Sequence, residues 1–257
     1  VLYSRSQGQG EPVILLHGLF GSMENLGALA RPLAEHYCVH SLDLPNHGRS
    51  PHTDTTDIAS MAEAVVAWMD AQGIAKAALI GHSLGGKTAM ELALTHPQRV
   101  AQLTVIDIAP VLYSPHHSDV FEGLKQVNPS LVRQRSEAEA LMLPHVPEVA
   151  VRSFLLKNLV KEDAGFRWRM NLPVIARDYP ALIAGNRNGI YPGPVLFLKG
   201  GNSDYITSSH KDAILTRFPQ SQLKIIPDTG HWLHAEKPEL VSGLMLRFLR
   251  DGLNLEA

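Results

Sequence analysis

The sequence predicts an α/β protein with a mostly parallel central sheet, helices on both faces and an inserted helical cap. Three observations predict it. Short apolar runs alternate with helical patterns from Val13 to Ile108, an order in which each strand returns through a helix and lies parallel to the last. The alternation stops between about 111 and 188, where Pro115, Pro129, Pro144, Pro147, Pro173 and Pro180 recur, and resumes at Val195. One strand-to-helix junction carries Gly81-His82-Ser83-Leu84-Gly85. Small residues two positions either side of that serine let the backbone bend sharply there.

Val13-Ile14-Leu15-Leu16 is short and wholly apolar, as a buried strand requires. The tight turn His17-Gly18-Leu19-Phe20-Gly21-Ser22 follows, then a helix from about Asn25 to Ala34. Tyr37 to Leu42 reads as a strand and Asp43 to Pro51 as a loop of turn residues. Asp57 caps a helix whose apolar face is Ile58, Met61, Val65, Trp68 and Met69, and Gly73 ends it. Residues 76–80 form the next strand, 84–96 a helix stopped by Pro97, and Ala101 to Ile108 a further strand. Helices are expected at Glu137–Met142 and Glu148–Val160. The sheet pattern then resumes with strands Val195–Leu198 and Leu223–Ile226, a helix at Ser209–Phe218, and a final amphipathic helix, Glu239–Arg250. In that last helix Leu240, Leu244, Leu246, Phe248 and Leu249 are the candidate core contacts. The division is therefore 1–110 and 189–257 as one α/β core, with 111–188 as the cap.

The totals narrow the function. The chain has 257 residues, enough for one large domain with an insertion. A net charge of −2 provides no field for nucleic acid or an anionic membrane. No run approaches the length of a membrane helix. The start at Val1 rather than Met reads as trimming and leaves open a targeting segment ahead of it; cytoplasmic is the default expectation. The single cysteine, Cys38, excludes an internal disulfide and reads as a core residue.

A serine hydroxyl at neutral pH needs a base, and the base needs a partner that sets its tautomer. Ser83 stands at a helix N-terminus whose free N–H groups can receive negative charge. His231 and His234 are the histidines in a loop after a late strand, and His231, directly after Gly230, is the candidate base. A metal site on His231 and His234 is not expected, because no third ligand stands at suitable spacing. Two carboxylates compete as the acid. Asp107 interrupts an apolar run, and Asp204 follows the strand after the cap; both lie at carboxyl ends of parallel strands. Asp43 precedes the serine and reads as structural. The backbone N–H groups of Leu19 and Leu84 are the candidate oxyanion donors.

Taken together, His17-Gly18-Leu19-Phe20-Gly21-Ser22, Asn46-His47-Gly48-Arg49-Ser50, Gly81 to Lys87, Val105 to Pro110, Gly200 to Ser203 and Gly230 to Pro238 resemble the α/β-hydrolase fold proteins. Within them the chain looks like the bacterial YbfF-type esterases and their animal mitochondrial relatives. The resemblance implies a serine esterase with no cofactor, and a small-molecule ester is the expected substrate. It implies Asp107 as the acid, while the wider superfamily places its acid where Asp204 stands. It also suggests Trp232 near the pocket wall; Phe20 and Trp232 are the candidate substrate-binding residues. Thioester hydrolysis or carbon–carbon bond cleavage on the same triad, and a slow-turnover ligand receptor, are the rival readings. Haloalkane and epoxide hydrolysis are disfavoured, since the resemblance then implies an aspartate where Ser83 stands. Oligomeric state, acyl length and enantiopreference are not legible.

Overall fold

A computed structural model describes residues 1–255. In chain order the elements are β1 (Ser4–Gln7), β2 (Pro12–Leu16), α1 (Gly27–Leu33), β3 (Cys38–Leu42), α2 (Ile58–Gln72), β4 (Ala77–His82), α3 (Leu84–Thr95) and β5 (Val100–Ile106). An inserted segment follows with α4 (Ser118–Lys125), α5 (Arg135–Met142), α6 (Val149–Leu156), β6 (Leu159–Glu162), β7 (Gly165–Trp168), α7 (Leu172–Arg177) and α8 (Tyr179–Leu182). The chain closes with β8 (Val195–Gly200), α9 (Lys211–Arg217), β9 (Ser221–Ile226), α10 (Leu233–Glu236) and α11 (Pro238–Asp251).

Seven strands make one sheet in the order β1-β3-β2-β4-β5-β8-β9. β1 pairs antiparallel with β3, and every other neighbouring pair is parallel. The inner strands are mostly buried and mostly apolar because helices cover both faces. Their side chains alternate between two clusters. Ile14, Leu16, Leu79, Val195 and Phe197 face α2 and α3; Val13, Leu15, Ile80, Leu196 and Leu198 face α1 and α11. The first cluster continues into the inserted segment through Phe121, Leu124, Met142, Leu155 and Ile175. The insertion is thus packed onto the sheet's own core. Among the described residues no helix is long and apolar enough to cross a membrane.

Several expectations need correction. β1 is polar and mostly exposed, so it carries no periodic signal; an edge strand of this kind is held by its ladder to β3. Strand β5 stops at Ile106 rather than Ile108, because Asp107 turns to φ 57°. The helix expected over 148–160 ends at Leu156, and a hairpin of β6 and β7 follows, registered Leu159 to Trp168. Two four-residue strands lack the length that would separate their pattern from a helix turn. In α11 the buried stripe is Val241, Met245 and Phe248, with Leu249 at its edge. Leu240 is exposed, and Leu244 and Leu246 are only half-buried. Cys38 is half-buried at the start of β3 rather than inside the core.

Candidate active site

Ser83 follows β4, near the middle of the sheet, and opens α3. Its backbone lies at φ 54°, ψ −116°, a region that a side chain rarely occupies and that costs on the order of 1–3 kcal/mol. The flanking glycines make this bend possible. A Cβ on Gly81 would stand 2.2 Å from the Gly85 carbonyl oxygen, and one on Gly85 would stand 2.1 Å from that of Leu16. The serine is thereby pushed out at the carboxyl edge of the sheet.

His231 lies in the turn between β9 and α10, and Asp107 directly follows β5. The His231 Nε2 is 3.0 Å from the Ser83 Oγ, and its Nδ1 is 2.7 Å from Asp107 Oδ2. A carboxylate can only accept, so Nδ1 carries the proton and Nε2 is free to accept from the serine. Asp107 is fully buried, but each of its oxygens is partnered. Oδ1 accepts from the Gly200 N–H at 3.0 Å. Oδ2 also accepts from the Ser203 hydroxyl at 2.5 Å. These donors satisfy the carboxylate oxygens and offset the cost of burying them. Asp204, one residue beyond Ser203, is exposed and forms no contact with His231 among the described residues.

The N–H groups of Leu84 and Leu19 donate to no backbone carbonyl among the described residues. The Leu19 turn is set by His17. Its Nδ1–H donates to the Gly18 carbonyl at 2.8 Å, and its Nε2 accepts from the Leu44 N–H at 3.0 Å. Burial holds this imidazole neutral, with its pKa down at about 4. Asp43 is structural. Its oxygens accept from the Met23 and Arg49 N–H groups at 2.7 and 2.9 Å. His234 does not join His231 around a common point: its ring packs 4.2 Å from that of His82, and burial lowers its pKa to about 4.

A sequence model described as the alpha/beta hydrolase fold matches residues 11–238. The chain belongs to the α/β-hydrolase fold family. It is 39% identical over 249 residues to the esterase YbfF of Escherichia coli (strain K12), spanning 96% of each chain. It is 37% identical over 246 residues to the sn-1-specific diacylglycerol lipase ABHD11 of Mus musculus, spanning 92% of this chain and 80% of that one. Among solved structures it is similar to a marine microorganism esterase, with a TM-score of 0.93 at 38% identity, over 96% of this chain and 98% of that one.

In this α/β-hydrolase two cavities open from Ser83. The larger, about 640 Å³, is lined by Phe20, His117, Phe154, His231 and Trp232 among others. It falls within the size range of small-molecule sites. The smaller, about 30 Å³, runs between α3 and α8 past Lys87, Tyr113 and Leu182. Leu19, Ser83, His117 and Tyr205 line both.

Five residues of the site were not expected from the sequence. Ser203 reads there as one more turn residue, and only the fold aims its hydroxyl at Asp107. The His82 ring donates from Nε2 to the His231 carbonyl at 2.9 Å, tying the two loops together. Burial and the neighbouring His234 and His231 push the His82 pKa well below its ordinary value. Tyr205 stacks on His231 with 3.9 Å between ring centres and a 17° tilt. His117, from the insertion, bonds the Tyr179 hydroxyl; burial, with His116 and His231 nearby, lowers its pKa to about 3. Lys87 is buried, and its ammonium donates to the carbonyls of Val111 and Ala184, where the insertion leaves and rejoins the core. Burial lowers its pKa to about 7. The spacing of Lys87 from Ser83 along α3 was a usable signal, because it places the two one turn apart.

Proposed function

We propose that this chain is a serine carboxylesterase acting on small to medium acyl esters through a Ser83-His231-Asp107 triad. The observation that carries the reading is the continuous hydrogen-bonded chain from Asp107 through His231 to Ser83, ending beside a cavity of about 640 Å³. Ser83 Oγ attacks the ester carbonyl as His231 Nε2 takes its proton. Asp107 steadies the imidazolium, and the Leu19 and Leu84 N–H groups receive the oxyanion. His231 then protonates the departing alcohol. Water, deprotonated by the same imidazole, releases the acid from Ser83. The kinship with a named esterase at 39% identity and a named lipase at 37% supports this reading. In it, 111–188 acts as a cap that walls the substrate, Phe20 and Trp232 contact the substrate in the larger cavity, and the protein works in the cytoplasm.

The test is hydrolysis of p-nitrophenyl acetate and butanoate by the purified protein. Turnover that disappears in Ser83→Ala and is blocked by a fluorophosphonate is the expected result. Turnover unchanged in that variant removes Ser83 from the mechanism.

A further inference from the structure

Two cavities meeting at one nucleophile present a choice that the chemistry can resolve. An ester has two arms, and they are not equivalent. The leaving oxygen must come within hydrogen-bond reach of His231 Nε2, which returns the proton to it. The acyl arm needs only Ser83 and the oxyanion donors. His231 lines the larger cavity together with Trp232. The smaller is lined by Ser83, Leu19 and Leu84 without His231. Tyr205 lines both and covers one face of the imidazole.

We propose that the smaller cavity is the acyl site and the larger the leaving-group site, so that the enzyme takes short acyl groups from bulky apolar alcohols or thiols. The assignment rests on the esterase reading above. A cavity of 30 Å³ has room for about two water-sized groups, which fits a tail of about one to three carbons beyond the carbonyl. Its end is firm. Leu182 and Ile183 are buried there, and Lys87 is pinned by the carbonyls of Val111 and Ala184, so the far wall cannot retreat without loosening the neck of the insertion. On the insertion side the larger cavity is walled by apolar groups of α4 and α6, among them Val120, Val151 and Phe154, whose ring lies 5.3 Å from that of Trp232, while Glu24, Lys157 and Glu236 also line it. Such a wall accepts wide apolar groups by burial rather than by pairing. Leu182 is therefore the residue that sets acyl length, and Phe154 the one that favours a bulky alcohol.

Two ester series test this on the full chain: p-nitrophenyl esters from acetate to octanoate, and acetates from ethyl to 2-naphthyl. The parent should lose about tenfold or more in kcat/KM between butanoate and octanoate, and gain from ethyl to naphthyl acetate. Leu182→Ala should raise octanoate turnover about tenfold and leave the acetate series in its parent order. Leu182→Val should do the same to a smaller degree and serves if the alanine variant fails to fold. Phe154→Ala should lower naphthyl acetate selectively. A parent that turns over octanoate as well as acetate, or Leu182 variants that alter the alcohol series instead, overturns the assignment. If these failures occur while a fluorophosphonate on Ser83 still blocks both series, the arms are exchanged but the esterase reading stands. Hydrolysis that Ser83→Ala leaves intact overturns both.

Discussion

On the core side of the site the functional groups are placed by backbone, while on the insertion side they are placed by side chains leaning on side chains. Ser83 and Asp107 directly follow strands and Phe20 lies in the turn after β2, all with φ between 54° and 64°, strain that a surrounding parallel sheet can hold. The polar atoms of Asp107 and His17 are each partnered at close range. Across the cavity, His116 reaches the Tyr205 hydroxyl at 2.6 Å, and His117 leans on Tyr179. Phe154 and Trp232 meet only through their rings. Among the contacts that join the two regions are the buried Lys87, one turn below Ser83, and Asn158, whose amide donates to the Phe20 carbonyl. The difference suggests a division of labour. Under the proposed function, the reaction depends on geometry that tolerates little change, and substrate choice depends on side chains that can be exchanged without moving the backbone.

The sharpest way to break that comparison is on the core wall. Ser83→Ala should lower kcat by about 10⁵-fold or more, and Asp107→Asn by about 10⁴-fold. Asp204→Asn should stay within about twofold, measured on the same p-nitrophenyl ester. A reversed ranking of the two aspartates would remove Asp107 as the acid. Next comes Gly85→Ala, whose Cβ would stand 2.1 Å from backbone. It should cost about 3 kcal/mol or more in urea unfolding, whereas Val151→Ala on the insertion wall should cost under about 1 kcal/mol. Equal losses would erase the contrast.

Acid should act through the same buried wall. His17 and His234 are held down at about 4 against an ordinary 6.5, mainly by burial. Between those values the unfolded chain takes up protons that the folded chain refuses. Their contribution is thus whole above about pH 6.5 and is lost as the pH falls toward 4, by about 1.4 kcal/mol per pH unit for each histidine. Urea midpoints at about pH 7.5 and 4.5 measure it, and His234→Leu should show a shallower fall. Midpoints that do not move with pH would mean these rings are not held neutral. Among the groups bonded to the triad the smallest loss is expected from Ser203→Ala, about tenfold in kcat, since it removes one of three donors to Asp107. Ser203→Thr should restore most of it, and a variant as active as the parent would make that hydroxyl incidental.

Legibility in the sequence followed the length of the signal. The inner strands and α2 were readable because burial on both faces, or along one stripe, leaves an uninterrupted apolar pattern. Asp57 accepting from the Ser60 N–H at 2.6 Å and Gly73 at φ 70° bound α2 where their residue types indicate. β1 and the hairpin of β6 and β7 were not readable, being short and held by pairing to distant partners rather than by their own composition. The α11 stripe is only partly legible: Phe248 and Leu249 are buried as their pattern indicates, while Leu240, Leu244 and Leu246 imitate a core face from its more exposed side.

What the sequence by itself determined was local: a serine forced outward between two glycines, a histidine turn after the last strand, and carboxylates at strand ends. Such features depend on a few consecutive residues and their backbone freedom. Only the tertiary structure decided which carboxylate meets His231, that Ser203 braces it, and that two cavities of unequal size open beside Ser83. Those relations run across the sheet, from β5 to β8 to β9 and out to the insertion. The separation of neighbouring strands sets them, and no stretch of chain encodes that alone.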